Sequence, residues 1–125
     1  MPLISMRQML DEAARGGYGV AAFNICNMEQ AQAIYEAAPE TRAPVICQIG
    51  AAALGYAYDA DLVHLVHASL EIFPEVVAAL NLDHGVSPAS CKADIAMGFT
   101  SVMIDGSLLE DGKTPSDFDY NVRVT

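Results

Sequence analysis

The residues best suited to chemistry are Asp83-His84-Gly85, because a neutral imidazole ligates divalent metals and a neighbouring carboxylate can pass protons beside one. A lone Asp-His pair is more ordinarily a strand end, its imidazole bonded to a backbone carbonyl. Asn24, Gln48 and Asp105-Gly106-Ser107 stand in comparable places, each directly after a short apolar run. If those runs are parallel strands, their polar ends meet on one rim, where α/β folds place their chemistry. Any one of these residues is ordinary turn chemistry, but four such ends together argue for a site. His64 and His67 lie three apart on a predicted helix with no third donor nearby, so they read as solvated or core-edge histidines. The mixed-charge loop Glu110-Asp111-Gly112-Lys113-Thr114-Pro115 reads as a solvated connection.

The elements that must position these groups follow from regular punctuation. Ser5 with Gln8 predicts a capping box and a lid-like helix over 5–16, closed by Gly16-Gly17. Gly19 to Asn24 is a short apolar run, read as the first strand. Asn27 with Gln30 opens a helix carrying Ala31, Ile34, Ala37 and Ala38 at helical spacing until Pro39 and Pro44. Val45 to Ile49 is the second strand, the small residues Gly50 to Gly55 a connection, and a helix runs from about Asp59 to Ile72, with Pro74 as its stop. Val76 to Leu82 is the third strand; Ser87-Pro88 starts a helix that Gly98 ends; Thr100 to Ile104 is the fourth strand. A polar loop from Asp105 to Asp117 leads into the first turn of a last helix. Strand-helix alternation requires parallel pairing through right-handed crossovers, hence an α/β fold. Four such units are half of a closed barrel, which takes about 250 residues, or else an independent flavodoxin-like sheet; length alone does not choose.

Composition bounds the partners. The chain has 125 residues, 53% of them apolar, with 16 acidic and 6 basic residues and a net charge of −10. That balance argues against nucleic acid and anionic membranes as partners, while a local cation could still hold a sugar phosphate. Cys26, Cys47 and Cys91 are odd in number and widely spaced, which fits neither a disulfide framework nor a thiolate metal site and points to a reducing cytoplasm. The start, Met1-Pro2-Leu3-Ile4-Ser5-Met6-Arg7, carries no targeting pattern, and no window approaches the roughly 20 apolar residues of a membrane span.

Taken together, Ser5-Met6-Arg7-Gln8, Gly17 to Asn24, Leu82-Asp83-His84-Gly85 and Gly98 to Ser107 resemble the class II, metal-dependent fructose-1,6-bisphosphate aldolases over nearly the whole chain. The stretch Leu108 to Pro115 looks like the longer loop of the bacterial Calvin-cycle-type subgroup. The resemblance implies the N-terminal half of a (β/α)8 TIM barrel, about four βα units after a short N-terminal helix, so that residues 1–125 are one incomplete domain. It implies a lyase of carbohydrate metabolism, in glycolysis and the Calvin cycle, that reversibly cleaves fructose 1,6-bisphosphate into dihydroxyacetone phosphate and glyceraldehyde 3-phosphate. Zinc would replace a Schiff-base lysine, polarising the ketone and stabilising the enediolate. By position, Asp83 matches the family's proton donor and acceptor, His84 a catalytic-metal ligand and Asp105 a ligand of a second divalent site. Asn24, Gly50 and Ser107 match substrate-binding positions. A monovalent cation and a homo-oligomer are expected of the full-length enzyme.

Two positions depart from the family. Asn81 stands where the leading His of an H-x-D-H-G motif is usual, and Gly50 where a serine contacts the glyceraldehyde 3-phosphate moiety. The segment Ala51 to Tyr56 also lacks the basic residues usual there. The remaining metal ligands lie beyond Thr125 in the family, so the isolated chain is expected to be inactive and its edges prone to association. Two alternatives stay open: a non-catalytic half-barrel acting by association, and a tagatose-bisphosphate aldolase.

Overall fold

A computed structural model describes residues 3–125. Met1 and Pro2, where the targeting expectation begins, lie outside the described residues. The elements are α1 (Met6–Gly16), β1 (Ala21–Asn24), α2 (Met28–Thr41), β2 (Val45–Gly50), α3 (Ala51–Tyr56), α4 (Asp59–Ile72), β3 (Ala78–Gly85), α5 (Pro88–Met97), β4 (Ser101–Ile104) and α6 (Phe118–Val124). All strand pairs are parallel and the order is β1-β2-β3-β4. That is the expected half-barrel order; in a flavodoxin-like sheet the first strand would sit between the second and third.

The sequence punctuation acts where it was read, with three adjustments. Ser5 accepts from the Gln8 amide at 3.2 Å, Asn27 from the Gln30 amide at 3.0 Å, and Ser87 forms a reciprocal capping box with Ser90. Helix α2 passes through Pro39 and ends at Thr41. A proline in the last turn removes one internal hydrogen bond, and Arg42, at φ 53, closes the helix with its amide on the Pro39 carbonyl and that of Ala43 on Ala38, both at 3.1 Å. Residues 51–56, read as a connection, form α3, because an alanine run is the strongest helix former available. Strand β3 begins later and runs further than expected, taking in Asp83, His84 and Gly85.

The sheet has two distinct faces. Val45, Cys47 and Ile49 of β2 and Ala78, Leu80 and Leu82 of β3 pack into the main core with Tyr35 of α2 and Val66 of α4. Burying one such side chain stabilises the fold by roughly 1.5–3 kcal/mol. Here the Cys47 thiol donates to the Tyr35 hydroxyl at 3.3 Å, and burial pushes its pKa up to about 11, which leaves it inert. The alternate residues face the other way. On that second face Ile46 and Ala79 pack against Met9 of α1, and the Ser101 hydroxyl lies 3.5 Å from Met6 Sδ. Helix α1 therefore covers the N-terminal end of this face. Above it the strand register aligns Asn24, Gln48, Asn81 and Ser101 in one polar row, with Gly50 opposite Asp83 one row higher.

Candidate active site

Chemistry concentrates at a bulge. Between the pairs Leu82–Val102 and Gly85–Ile104, β3 contains one residue more than β4, so the extra residue falls at Asp83-His84. His84 adopts φ 57, a left-handed conformation that costs a non-glycine residue roughly 1 kcal/mol and concentrates at functional sites. A regular strand would send these two adjacent side chains to opposite faces. Instead they converge, with His84 Nε2 3.9 Å from Asp83 Oδ1. Gly85 makes this turn possible: a Cβ there would lie 2.5 Å from Cys91 Sγ, 2.9 Å from Leu82 Cδ2 and 3.3 Å from the Met103 carbonyl oxygen.

Asp105, just past β4, completes the cluster. Its amide donates to the Gly85 carbonyl at 2.9 Å, and its Oδ2 lies 2.8 Å from His84 Nδ1. Its Oδ1 accepts from the Ser107 amide at 3.0 Å and the Ser107 hydroxyl at 2.5 Å. The Ser107 hydroxyl, and then His84, hold the Asp105 carboxyl below the ordinary aspartate range; the Asp105 hydrogen bond, and then Asp83 by charge, push His84 up. A carboxylate on Nδ1 fixes the tautomer and leaves Nε2 as the free nitrogen, the arrangement that metal-binding histidines use.

The two shifts set the pH window of this pair. Its stabilisation is full where His84 would already be protonated, and Asp105 already ionised, in an unfolded chain. It fades as pH rises through the raised His84 value and as pH falls through the lowered Asp105 value. In an NMR titration of the metal-free protein, His84 should titrate above the ordinary histidine value, and Asp105→Asn should bring it down. A His84 midpoint unmoved by Asp105→Asn would show that the contact does not persist in solution.

A cavity of about 320 Å³ opens at this rim, lined by Gly50, Ala51, Asp83, His84, Asp105 and Leu109 among others. It brings together Asp83, His84, Asp105 and Gly50 from the sequence-derived set. Asn24 and Ser107 stand outside its lining: Asn24 lies in the polar row beside Gln48, and Ser107 is behind Asp105, its hydroxyl engaged there. A Cβ added to Gly50 would meet nothing nearer than the Asp83 carbonyl oxygen at 3.9 Å, so the absent serine side chain has room. Asn81, 5% exposed, lies between Gln48 and Ser101 in the row beneath Asp83.

Two features went unread in the sequence: Ser101 in that polar row, and the wall formed by Leu108, Leu109 and Gly112. Ser101 opens an apolar run, which hides it. The wall had a signal in Asp111-x-Lys113-Thr114, the spacing of an Asx turn. His64 lies on α4 with Nδ1 2.6 Å from the Ala60 carbonyl, and α4 packs on the sheet face opposite Asp83. Among the described residues no three His, Cys, Asp or Glu side chains gather as a metal site. The chemistry of the donor set nonetheless fits one ligand of a shared site, with Nε2 of His84 as the donor. Among the described residues, no helix is long and apolar enough to cross a membrane.

The fructose-bisphosphate aldolase class-II family model matches residues 4–125. Over all 125 residues the chain is 58% identical to a fructose-bisphosphate aldolase of Pseudomonas aeruginosa and 59% identical to the plasmid-borne one of Cupriavidus necator, covering 35% and 36% of them. It thus spans about a third of the length of the curated relatives it matches. Among solved structures it is similar to the YdjI aldolase of Escherichia coli K12, with a TM-score of 0.81 and 27% identity, covering 98% of this chain and 44% of that one.

Proposed function

This chain belongs to the class II fructose-bisphosphate aldolase family, and on that premise we propose that its rim takes part in the reversible cleavage of fructose 1,6-bisphosphate to dihydroxyacetone phosphate and glyceraldehyde 3-phosphate. The observation that carries this is the β3 bulge, which turns a carboxylate and an imidazole onto one rim while Asp105 holds the ring by its other nitrogen. Asp83 is the base that takes the proton from the hydroxyl next to the scissile carbon-carbon bond. The oxygen's electron pair then forms the new aldehyde, and the bond's electrons pass to the ketone-side fragment. In the reverse direction Asp83 returns the proton.

His84 Nε2 is one ligand of a divalent ion, zinc by family expectation, which when bound supplies Lewis-acid polarisation of the ketone. A catalytic zinc generally takes three protein ligands, and we place the others in the part of the relatives that this chain does not span. Asp105 orients His84; a second divalent ion there would have to share oxygens that now serve Ser107 and His84. Asn24, Gly50 and Ser107 belong to the substrate surroundings. A monovalent cation, a homo-oligomeric full-length enzyme and a cytoplasmic setting complete the proposal.

The test is a graft in which this segment replaces the matched segment of the Pseudomonas aeruginosa relative. It should cleave fructose 1,6-bisphosphate in preference to tagatose 1,6-bisphosphate, lose activity to a chelator and regain it with zinc. A folded, zinc-loaded graft that cleaves neither sugar, or that prefers tagatose, would contradict the proposal.

A further inference from the structure

The cavity presents a charge problem. A phosphate monoester carries a charge of about −1.5 to −2 at neutral pH, yet the cavity is lined by Asp83 and Asp105, and its α3 wall, 51–56, has no basic residue. Of the six Lys and Arg residues, Arg7 and Arg15 lie on α1, Arg42 follows α2, Lys92 is on α5 and Arg123 on α6. Lys113 is the one basic residue in the connections that follow the C-terminal ends of the strands.

Lys113 is carried on a built hairpin. Leu108 and Pro115 form an antiparallel bridge, and the Leu109 amide donates to the Thr114 carbonyl at 2.8 Å. The Asp111 carboxylate accepts from the amides of Lys113 and Thr114, both at 2.8 Å, and from the Thr114 hydroxyl at 2.6 Å. That carboxylate is thereby committed to the turn, and among the described residues no ion pair engages the Lys113 ammonium. Gly112, at φ 64, sets the tip against Val86 on the next rim connection, where an added Cβ would lie 3.5 Å from Val86 Cγ1. Leu108, Leu109 and Gly112 line the cavity, and Lys113 is the next residue.

We propose that the 108–115 hairpin is a phosphate-binding wall of this cavity, with Lys113 as the positioning cation for one phosphate monoester group of the sugar-phosphate substrate. This rests on the aldolase reading above, since it takes that substrate as the ligand. It assigns to the hairpin the counter-charge that α3 lacks.

The test uses the same graft. Lys113→Ala should raise KM for fructose 1,6-bisphosphate roughly 10- to 100-fold with kcat little changed, since it removes a hydrogen bond to a charged group that substrate and transition state share. Lys113→Arg should recover most of the loss. With fructose 1-phosphate and fructose 6-phosphate as competing ligands, Lys113→Ala should weaken only the one whose phosphate the hairpin holds. An unchanged KM, or equal weakening of both monophosphates, overturns the proposal while leaving the aldolase reading intact. Should the graft fail to cleave, equilibrium dialysis with fructose 1,6-bisphosphate separates the two: binding weakened by Lys113→Ala keeps the phosphate wall without the aldolase, and binding unaffected by it overturns the wall.

Discussion

Replacing Asp83 by alanine in the graft should lower turnover about 10²–10⁴-fold while zinc stays bound, because general acid-base catalysis by a positioned side chain is typically worth that much. The expectation rests on placement. Asp83 lies one register row above Asn81, opposite Gly50, and lines the cavity with its carboxylate 3.9 Å from His84 Nε2. It is thus beside the nitrogen proposed to bind the metal without being a donor itself. Truncation removes the base but leaves His84 and Asp105 paired, so kcat and kcat/KM should fall together. Steady-state kinetics with zinc content measured on the same sample checks this, and cleavage at an undiminished rate would remove Asp83 from the catalytic role.

The second large effect is at His84, where alanine should abolish metal retention and activity with it. Loss of a partner that merely orients a metal-binding histidine typically costs 10–100-fold in metal affinity, so losing the ligand should cost at least about 100-fold. Asp105→Asn should then fall between wild type and His84→Ala, since an amide keeps one acceptor for Nδ1 but removes the charge. Alanine at position 84 should not cost the fold, because that side chain is 63% exposed and outside both cores. It would remain in a left-handed backbone conformation held by Gly85 and by the Asp105 amide on the Gly85 carbonyl.

Much of this architecture was legible because local signals and fold agree. Ser5, Asn27 and Ser87 cap their helices, Gly17 and Gly98 close theirs in left-handed conformations, and the apolar runs became parallel strands in chain order. The chemical letters of the site were legible too, in Asp83, His84 and Asp105. What periodicity could not supply was the relation between the first two. A period-two pattern assigns adjacent residues to opposite faces; the bulge that overrides it comes from an unequal residue count on β3 and β4 and from a glycine whose need shows only in the packing of Cys91, Leu82 and the Met103 carbonyl. Helix α3 was missed because Gly50 precedes it and Gly55 sits in its last turn, the punctuation of a loop, and the passage of α2 through Pro39 because Arg42 supplies the left-handed closure usually left to glycine. Lys113 read as part of a solvated loop because its hairpin is made by Asp111 and a bridge between Leu108 and Pro115, contacts that follow no repeat.

The claim at the centre of this account is that one bulge divides two jobs between neighbouring residues, the proton to Asp83 and the metal to His84. Zinc content measured side by side on the purified Asp83→Ala and His84→Ala grafts tests it most directly. Wild-type zinc is expected in the first, with turnover lowered about 10²–10⁴-fold, and none retained in the second, with activity lost; zinc kept by His84→Ala, or lost equally from both, would contradict this division.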